Sequence, residues 1–193
     1  MDSAAWGQPG GGAVSRIRIT GGEWRSRLIP VVDAPGLRPT PDRVRETLFN
    51  WLGHDLSGLS CLDLFAGSGI LGFEAASRGA AAVTLVERDQ RVFEALRHNC
   101  AAFDAKRLEP IRSDALKFAA SAAEQGRRYD LLFLDPPYRQ LWLERLWPLL
   151  PGIVGRGTRA YAEAEAQLAA PLPWRVVKEG RAGQVFYHLL EHE

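Results

Sequence analysis

Four acidic residues and one glycine-rich turn carry the chemistry this sequence could do. Asp63, Glu87, Asp114 and Asp135 each stand at or near the end of a short apolar run. Asp63 leads into Leu64-Phe65-Ala66-Gly67-Ser68-Gly69-Ile70-Leu71-Gly72, whose last part fits G-x-G-x-x-G. Glycine suits such a turn because a ligand must approach the main chain closely and the backbone must take φ values that a Cβ forbids. A helix that follows points its free N–H groups and positive dipole end at the loop. Glu87 comes roughly 20 residues later, where an acid can accept ribose hydroxyls. Taken alone, the pattern is that of a nicotinamide dinucleotide site. Two features turn the reading elsewhere. Asp63 sits inside the run before the loop, and Asp135-Pro136-Pro137-Tyr138 ends a later run and has no role in hydride transfer. A carboxylate and a stiffly held Pro136 carbonyl can each accept one N–H of a planar amine. Tyr138 can stack on a base that carries it.

These residues need a scaffold that brings strand ends together. Apolar runs alternate with helical spacing along the chain. Strands are expected at 61–65, 82–87, 108–112, 130–134 and 158–163. Helices are expected at 70–78, from Asp89 as N-cap, at 115–123 and at 141–150. Residues 174–179 and 184–190 read as a closing hairpin around Gly180-Arg181-Ala182-Gly183. Strand–helix alternation implies an α/β fold with a mostly parallel sheet, and the hairpin makes its last strand antiparallel. Ligands on such sheets bind beyond the carboxyl ends of the strands, where Gly67, Glu87, Asp114 and Asp135 fall. Ahead of this core, 16–20 and 27–32 read as a β-hairpin with Ile17 and Ile19 on one face and Arg16 and Arg18 on the other. Thr40 is a candidate N-cap and Pro41 a first residue for a helix running to about Leu52. Val44, Leu48, Trp51 and Leu52 form its buried stripe, leaving Arg38, Arg43 and Arg45 off it.

With Asp63, Glu87, Asp114 and Asp135-Pro136-Pro137-Tyr138 in one order, the chain resembles the class I S-adenosylmethionine (SAM) methyltransferases. More narrowly, it is similar to the ribosomal RNA small subunit methyltransferase D family, the 16S rRNA guanine-N2 methyltransferases. The likeness runs from Arg16 to about Leu190 and is most specific in residues 38–52, in the loop 63–69, in Asp135–Tyr138 and in Gly183-Gln184-Val185. It implies a Rossmann-like, seven-stranded sheet of order 3-2-1-4-5-7-6 with an N-terminal hairpin and helix extension. It implies SAM held by Asp63, Phe65, Ala66, Gly67, Gly69, Glu87, Asp114 and Ala115, with Asp114 accepting from the adenine amino group. Asp114 can equally be a plain helix N-cap. Asp135, Pro136 and Tyr138 then serve the acceptor base. Arg16, Arg18, Arg38, Arg43 and Arg45 are expected to meet 16S rRNA in the small subunit or its assembly intermediate. The Asp-Pro-Pro-Tyr motif by itself specifies a planar amine, so adenine-N6 of DNA and a protein amide stay open, as does an RNA-binding assembly factor without chemistry.

Composition sets the outer bounds. The chain has 193 residues, 46% of them hydrophobic, enough for one packed domain. Residues 1–15 are Gly-rich and read as a flexible tail, 16–56 as the extension and 57–193 as the catalytic core. No run of about 18 apolar residues or secretory signal is visible, which points to the cytoplasm and away from membranes. Cys61 and Cys100 read as reduced core thiols. His54, His98, His188 and His192 are scattered, so no metal is expected. The net charge of +1 hides an asymmetry: residues 1–45 hold seven Arg against four acids. The family resemblance adds the expectation of a monomer.

Overall fold

Two short antiparallel strands lead the chain in the computed structural model, which describes residues 15–34, 40–103, 106–138 and 140–193. β1 (Ser15–Arg18) pairs β2 (Leu28–Val31) with Ile17 opposite Ile29. Alternation gives this hairpin its two faces. Ile19 and Ile29 are fully buried, while Arg16 and Arg18 face solvent. The expected tail lies outside the described residues up to position 14, and Ser15 already belongs to β1.

α1 (Asp42–Leu52) buries Val44, Leu48, Phe49 and Leu52 along one stripe, with Trp51 half-buried beside Tyr187. The expected N-cap is corrected. Pro41 occupies that position without a side-chain cap, and the Thr40 hydroxyl is turned to Asp135 instead.

The remaining strands form one sheet: β3 (Ser60–Asp63), β4 (Ala82–Glu87), β5 (Leu108–Arg112), β6 (Leu131–Leu134), β7 (Arg159–Ala164), β8 (Trp174–Ala182) and β9 (Val185–His192). Its spatial order is β5-β4-β3-β6-β7-β9-β8. Counted within the sheet, that is 3-2-1-4-5-7-6. β3 to β7 pair in parallel, and β9 lies antiparallel to both β7 and β8. The order reverses direction at β3, between β4 and β6, which opens a crevice above that strand's end.

Alternating side chains divide the sheet into two cores. Cys61, Leu131, Phe133 and Tyr161 face α1, α2 (Ile70–Ser77) and the N-terminal hairpin. Leu62, Leu132, Leu134 and Ala160 face α4 (Ala115–Glu124) and α5 (Trp142–Leu146). α3 (Gln90–Ala102) covers the β4–β5 edge and starts at Asp89, whose side chain accepts from the Val92 amide at 2.9 Å. The helix expected over 141–150 is shorter: α5 ends at Leu146 and a 3-10 turn follows at Leu150–Gly152. Pro148 and Pro151 account for this, because neither can donate into a helical ladder. Among the described residues no helix is long and apolar enough to cross a membrane, and no cluster of His, Cys, Asp or Glu could hold a metal ion.

α2 is buried on every side, and Glu74 is its one charged residue. A carboxylate in such a place must be fully partnered. Glu74 accepts from the Thr20 amide at 2.9 Å, the Thr20 hydroxyl at 2.7 Å and the Gly21 amide at 2.8 Å. Arg45 reaches it at 3.2 Å and Arg78 at 2.9 Å. The Ser77 hydroxyl also donates to the Gly21 carbonyl at 2.6 Å. The N-terminal hairpin is thereby tied to the helix that follows the glycine loop.

Candidate active site

A cleft of about 750 Å³ opens at the carboxyl ends of β3, β4, β6 and β7. Its first wall is the turn from β3 into α2. Gly67 takes φ of 51° and Gly69 φ of 81°, conformations a Cβ resists. Gly67 and Ser68 line the cleft. Gly69 stands behind them as the N-cap of α2, where a Cβ would come within 2.5 Å of Leu96. Its place is to let the loop turn and pack rather than to offer a contact surface. The Ala66 amide donates to the Val86 carbonyl at 2.9 Å, which fastens the loop to β4.

Glu87 fastens it a second time. Its Oε2 accepts the Gly67 amide at 3.0 Å and its Oε1 the Asp89 amide at 2.7 Å. Each carboxylate oxygen has a further acceptor site, so two hydroxyls can still be received. Asp63 is 2% exposed, and its Oδ1 takes the Phe65 amide at 3.2 Å. Burial pushes its carboxyl up to about 7, and the charge of Glu87 pushes the same way. Phe65 packs edge-on against Trp142 at 5.5 Å, and both line the cleft with Val86 and Ala115. These residues make an apolar slot beside the acids. Asp114 accepts from the Leu116 and Lys117 amides at 3.0 and 3.2 Å, so its carboxylate caps α4. Ser113 and Ala115, its neighbours, line the cleft.

Asp135, Pro136 and Tyr138 stand across the cleft, just past β6. Asp135 is half-buried and Tyr138 is 40% exposed at the mouth. Thr40 donates to Asp135 Oδ2 at 3.3 Å. One strand over, Glu163 is 5% exposed near the end of β7, with Tyr161 donating to its Oε1 at 2.6 Å. Burial drives the Asp135 carboxyl well above the usual carboxylate range, helped by the charges of Glu163 and Asp63. Burial raises Glu163 as well, and hydrogen bonds from Tyr161, Asp135 and Thr40 counter it. Tyr161 is raised by burial and by Glu163.

Glu163 was absent from the sequence-based site, as were Tyr161, Thr40 and Trp142. The signal for Glu163 was present: like Glu87, it ends a predicted strand. The hairpin turn between β8 and β9 also reaches the cleft through Ala182 and Val185.

The expected RNA face is divided by the structure. Arg16, Arg18 and Arg43 are exposed. Arg38 lies outside the described residues. Arg45 is corrected: it is fully buried, bonded to Glu74, to Asp42 at 2.6 Å and to the Arg18 carbonyl at 3.0 Å. Its place on the helix, next to the buried stripe and above the acid of α2, turns it inward.

A sheet crevice walled by the five carboxyl groups of Asp63, Glu87, Asp89, Asp135 and Glu163 and by an apolar slot disfavours the phosphates of a dinucleotide and suits a cation with a flat ring. Comparison with known proteins decides between families. Residues 17–191 match the family model described as Conserved hypothetical protein 95. The ribosomal RNA small subunit methyltransferase D of Escherichia coli strain K12 is 43% identical over 96% of this chain and 95% of its own length. The chain belongs to the ribosomal RNA small subunit methyltransferase D family. The Haemophilus influenzae member is 39% identical over 93% of this chain and 96% of its own length. The solved structure of the Escherichia coli protein yhhF superposes with a TM-score of 0.84 at 41% identity, covering 93% of this chain and 99% of the other.

Proposed function

We propose that this chain transfers a methyl group from SAM to the exocyclic N2 amine of a guanine in 16S rRNA, within the small subunit or its assembly intermediate. The observation that carries the reading is the meeting of Asp63, Glu87 and Asp135 at one cleft beside the Gly67 turn. When bound, SAM supplies an electrophilic methyl group on a sulfonium cation.

The residues present fit that cofactor. The floor is acidic, which suits a sulfonium and an ammonium group. Asp63 stands behind the loop, in reach of the amino-acid tail through water, while the spare acceptor sites of Glu87 suit the two ribose hydroxyls. The apolar slot made by Phe65, Val86, Ala115 and Trp142 suits a flat ring such as adenine.

An aromatic exocyclic amine is a weak nucleophile because its lone pair is delocalised into the ring. The Asp135 carboxylate and Pro136 carbonyl each accept one N–H, which fixes the nitrogen in line and favours its pyramidal form. Orientation of this kind supplies about 7–11 kcal/mol of barrier reduction when the geometry is right. Tyr138, at the mouth, stacks on the base. Arg16, Arg18 and Arg43 present exposed guanidinium groups to the phosphates around it.

The test is methyl transfer from labelled SAM to small ribosomal subunits from cells lacking this protein, followed by nucleoside analysis. N2-methylguanosine at one site is expected. Methyl groups on adenine, or on ribosomal protein alone, would displace guanine-N2 from the reading.

A further inference from the structure

Two carboxyl groups meet on the cleft floor, and the chemistry above uses only one of them. Asp135 faces the substrate amine. Glu163 lies beside it: Leu134 is opposite Ala162 in the β6–β7 register, so the next residues along the two strands stand side by side. Both carboxyls line the cleft, and the charge of Glu163 acts on Asp135. Tyr161 holds Glu163 from below at 2.6 Å, and Thr40 holds Asp135 at 3.3 Å. Two carboxyls in contact in a buried site share a proton rather than both ionise.

The other titratable groups around the pair come from separate elements. Asp63 comes from β3, Glu87 from the end of β4, Asp89 from just beyond it, Tyr138 from the turn after Pro137, and Tyr187 from β9, opposite Glu163 in the β7–β9 register. Arg88 is the one cation lining the cleft among the described residues, and it is drawn to the Trp142 ring at 5.6 Å. No histidine is among the described lining residues.

Methylation of an amine sheds a proton. The carbon–sulfur bond breaks with its electron pair staying on sulfur, the nitrogen lone pair forms the new carbon–nitrogen bond, and one N–H proton must leave. The cofactor enters as a cation and leaves as a neutral thioether. A carboxyl pair that is doubly ionised beside the cation, and singly protonated beside the thioether, takes up that proton with no change in the net charge of the site.

We propose that Glu163 completes a two-carboxyl proton store with Asp135, which gives its shared proton to solvent when the cationic cofactor binds and takes up the amine proton as the methyl group is transferred. The inference rests on the reading of Asp135 as the holder of the acceptor amine. Glu163 acts through Asp135 and is a positioning residue. Burial raises both carboxyls, and Glu163 raises Asp135 further while Asp135 counters the rise at Glu163, so the proton is held on the pair rather than lost from it.

Calorimetric titration of the intact chain near neutral pH tests it, with SAM and with S-adenosylhomocysteine, each in two buffers of different protonation heat. SAM is expected to release about one proton more than S-adenosylhomocysteine, the most that one shared proton allows. Glu163→Gln keeps the shape and leaves Asp135 as a lone carboxyl, so it is expected to bind both ligands and lose the difference. Equal proton release by the two ligands in the unaltered chain would overturn the proposal, as would a full difference in Glu163→Gln. Should Glu163→Gln fail to fold, Tyr161→Phe decides: the pH at which the difference is largest is expected to move, and an unmoved maximum counts against the store. A proton difference without methyl transfer to any RNA would keep the release on cofactor binding but overturn the uptake of an amine proton together with the reading of Asp135. Absence of SAM binding would remove both.

Discussion

The Gly67 amide donates to Glu87 Oε2 at 3.0 Å, so the acid that ends β4 braces the glycine turn that follows β3. The same carboxylate takes the Asp89 amide on its other oxygen. One side chain therefore fixes both loops that flank the cleft, while keeping acceptor sites for a ligand.

Glu87→Ala is expected to weaken SAM binding by roughly 10–100-fold, because it removes charge-assisted acceptors worth about 1.5–3 kcal/mol and slackens the loop. Glu87→Gln keeps one carbonyl acceptor and should fall between. Calorimetry reads both; an unchanged affinity in Glu87→Ala would separate Glu87 from the cofactor.

On the proposed role of Asp135 in orienting the acceptor, Asp135→Ala is expected to lower methyl transfer by at least ~10²-fold while SAM affinity stays within a few-fold. Single-turnover assays beside binding measurements distinguish this. Loss of both in parallel would place Asp135 in the cofactor site.

Glu74→Ala takes the buried anion from Arg45 and leaves it only the exposed Asp42, a change of about 3–5 kcal/mol in unfolding free energy. Urea denaturation should show it as a large fall in midpoint. A fall of under about 1 kcal/mol would mean that water or a rearranged Asp42 replaces the lost partner.

Arg43 and Arg45 should separate cleanly. Arg43→Ala is expected to weaken RNA binding and reduce its salt slope by about 1 with no change in stability. Arg45→Ala should reduce stability first. An unchanged salt slope in Arg43→Ala would take α1 off the RNA face.

Stability of the ligand-free chain should depend on pH through its buried acids. Asp63 is raised to about 7 in the fold from an ordinary 3.8. Over that interval the folded chain holds a proton the unfolded chain has lost, so stability falls as pH rises from about 4 to 7. Asp135 and Glu163 are raised too and add to the same slope. Urea titrations at pH 5 and pH 8 should differ by roughly 1–4 kcal/mol, and Asp63→Asn should shrink the gap. A chain more stable at pH 8 would contradict the protonated floor.

The sheet and the glycine turn were legible because their signals are local. Period-two alternation, Gly67 and Gly69, and acids at run ends are read within a dozen residues. Glu163 was missed although it ends a strand, since nothing near it announces that the neighbouring strand brings Asp135 alongside. Arg45 was misplaced for the same reason: its partner, Glu74, is fixed by the packing of two helices rather than by spacing on one. Thr40 looked like an N-cap because local rules favour it there; the tertiary pull of Asp135 won. Asp114 carried two readings, and its bonds to Leu116 and Lys117 establish the cap without deciding what else its carboxylate receives.

The bonds from Glu74 to Thr20, Gly21 and Arg45 also bear on how such proteins can be recombined. A chimera joined near residue 56 would graft a foreign hairpin and α1 onto α2 and sever a buried charge cluster at the seam. Ile19, Trp24, Leu48 and Phe49 would meet strange partners in Phe73 and Ala76 at the same time. The unit that can be exchanged between relatives is thus the hairpin, α1 and α2 together, with the glycine turn travelling inside it. A foreign N-terminal hairpin would have to bring along part of the loop that walls the cleft, so hairpin and cleft wall are inherited as one piece.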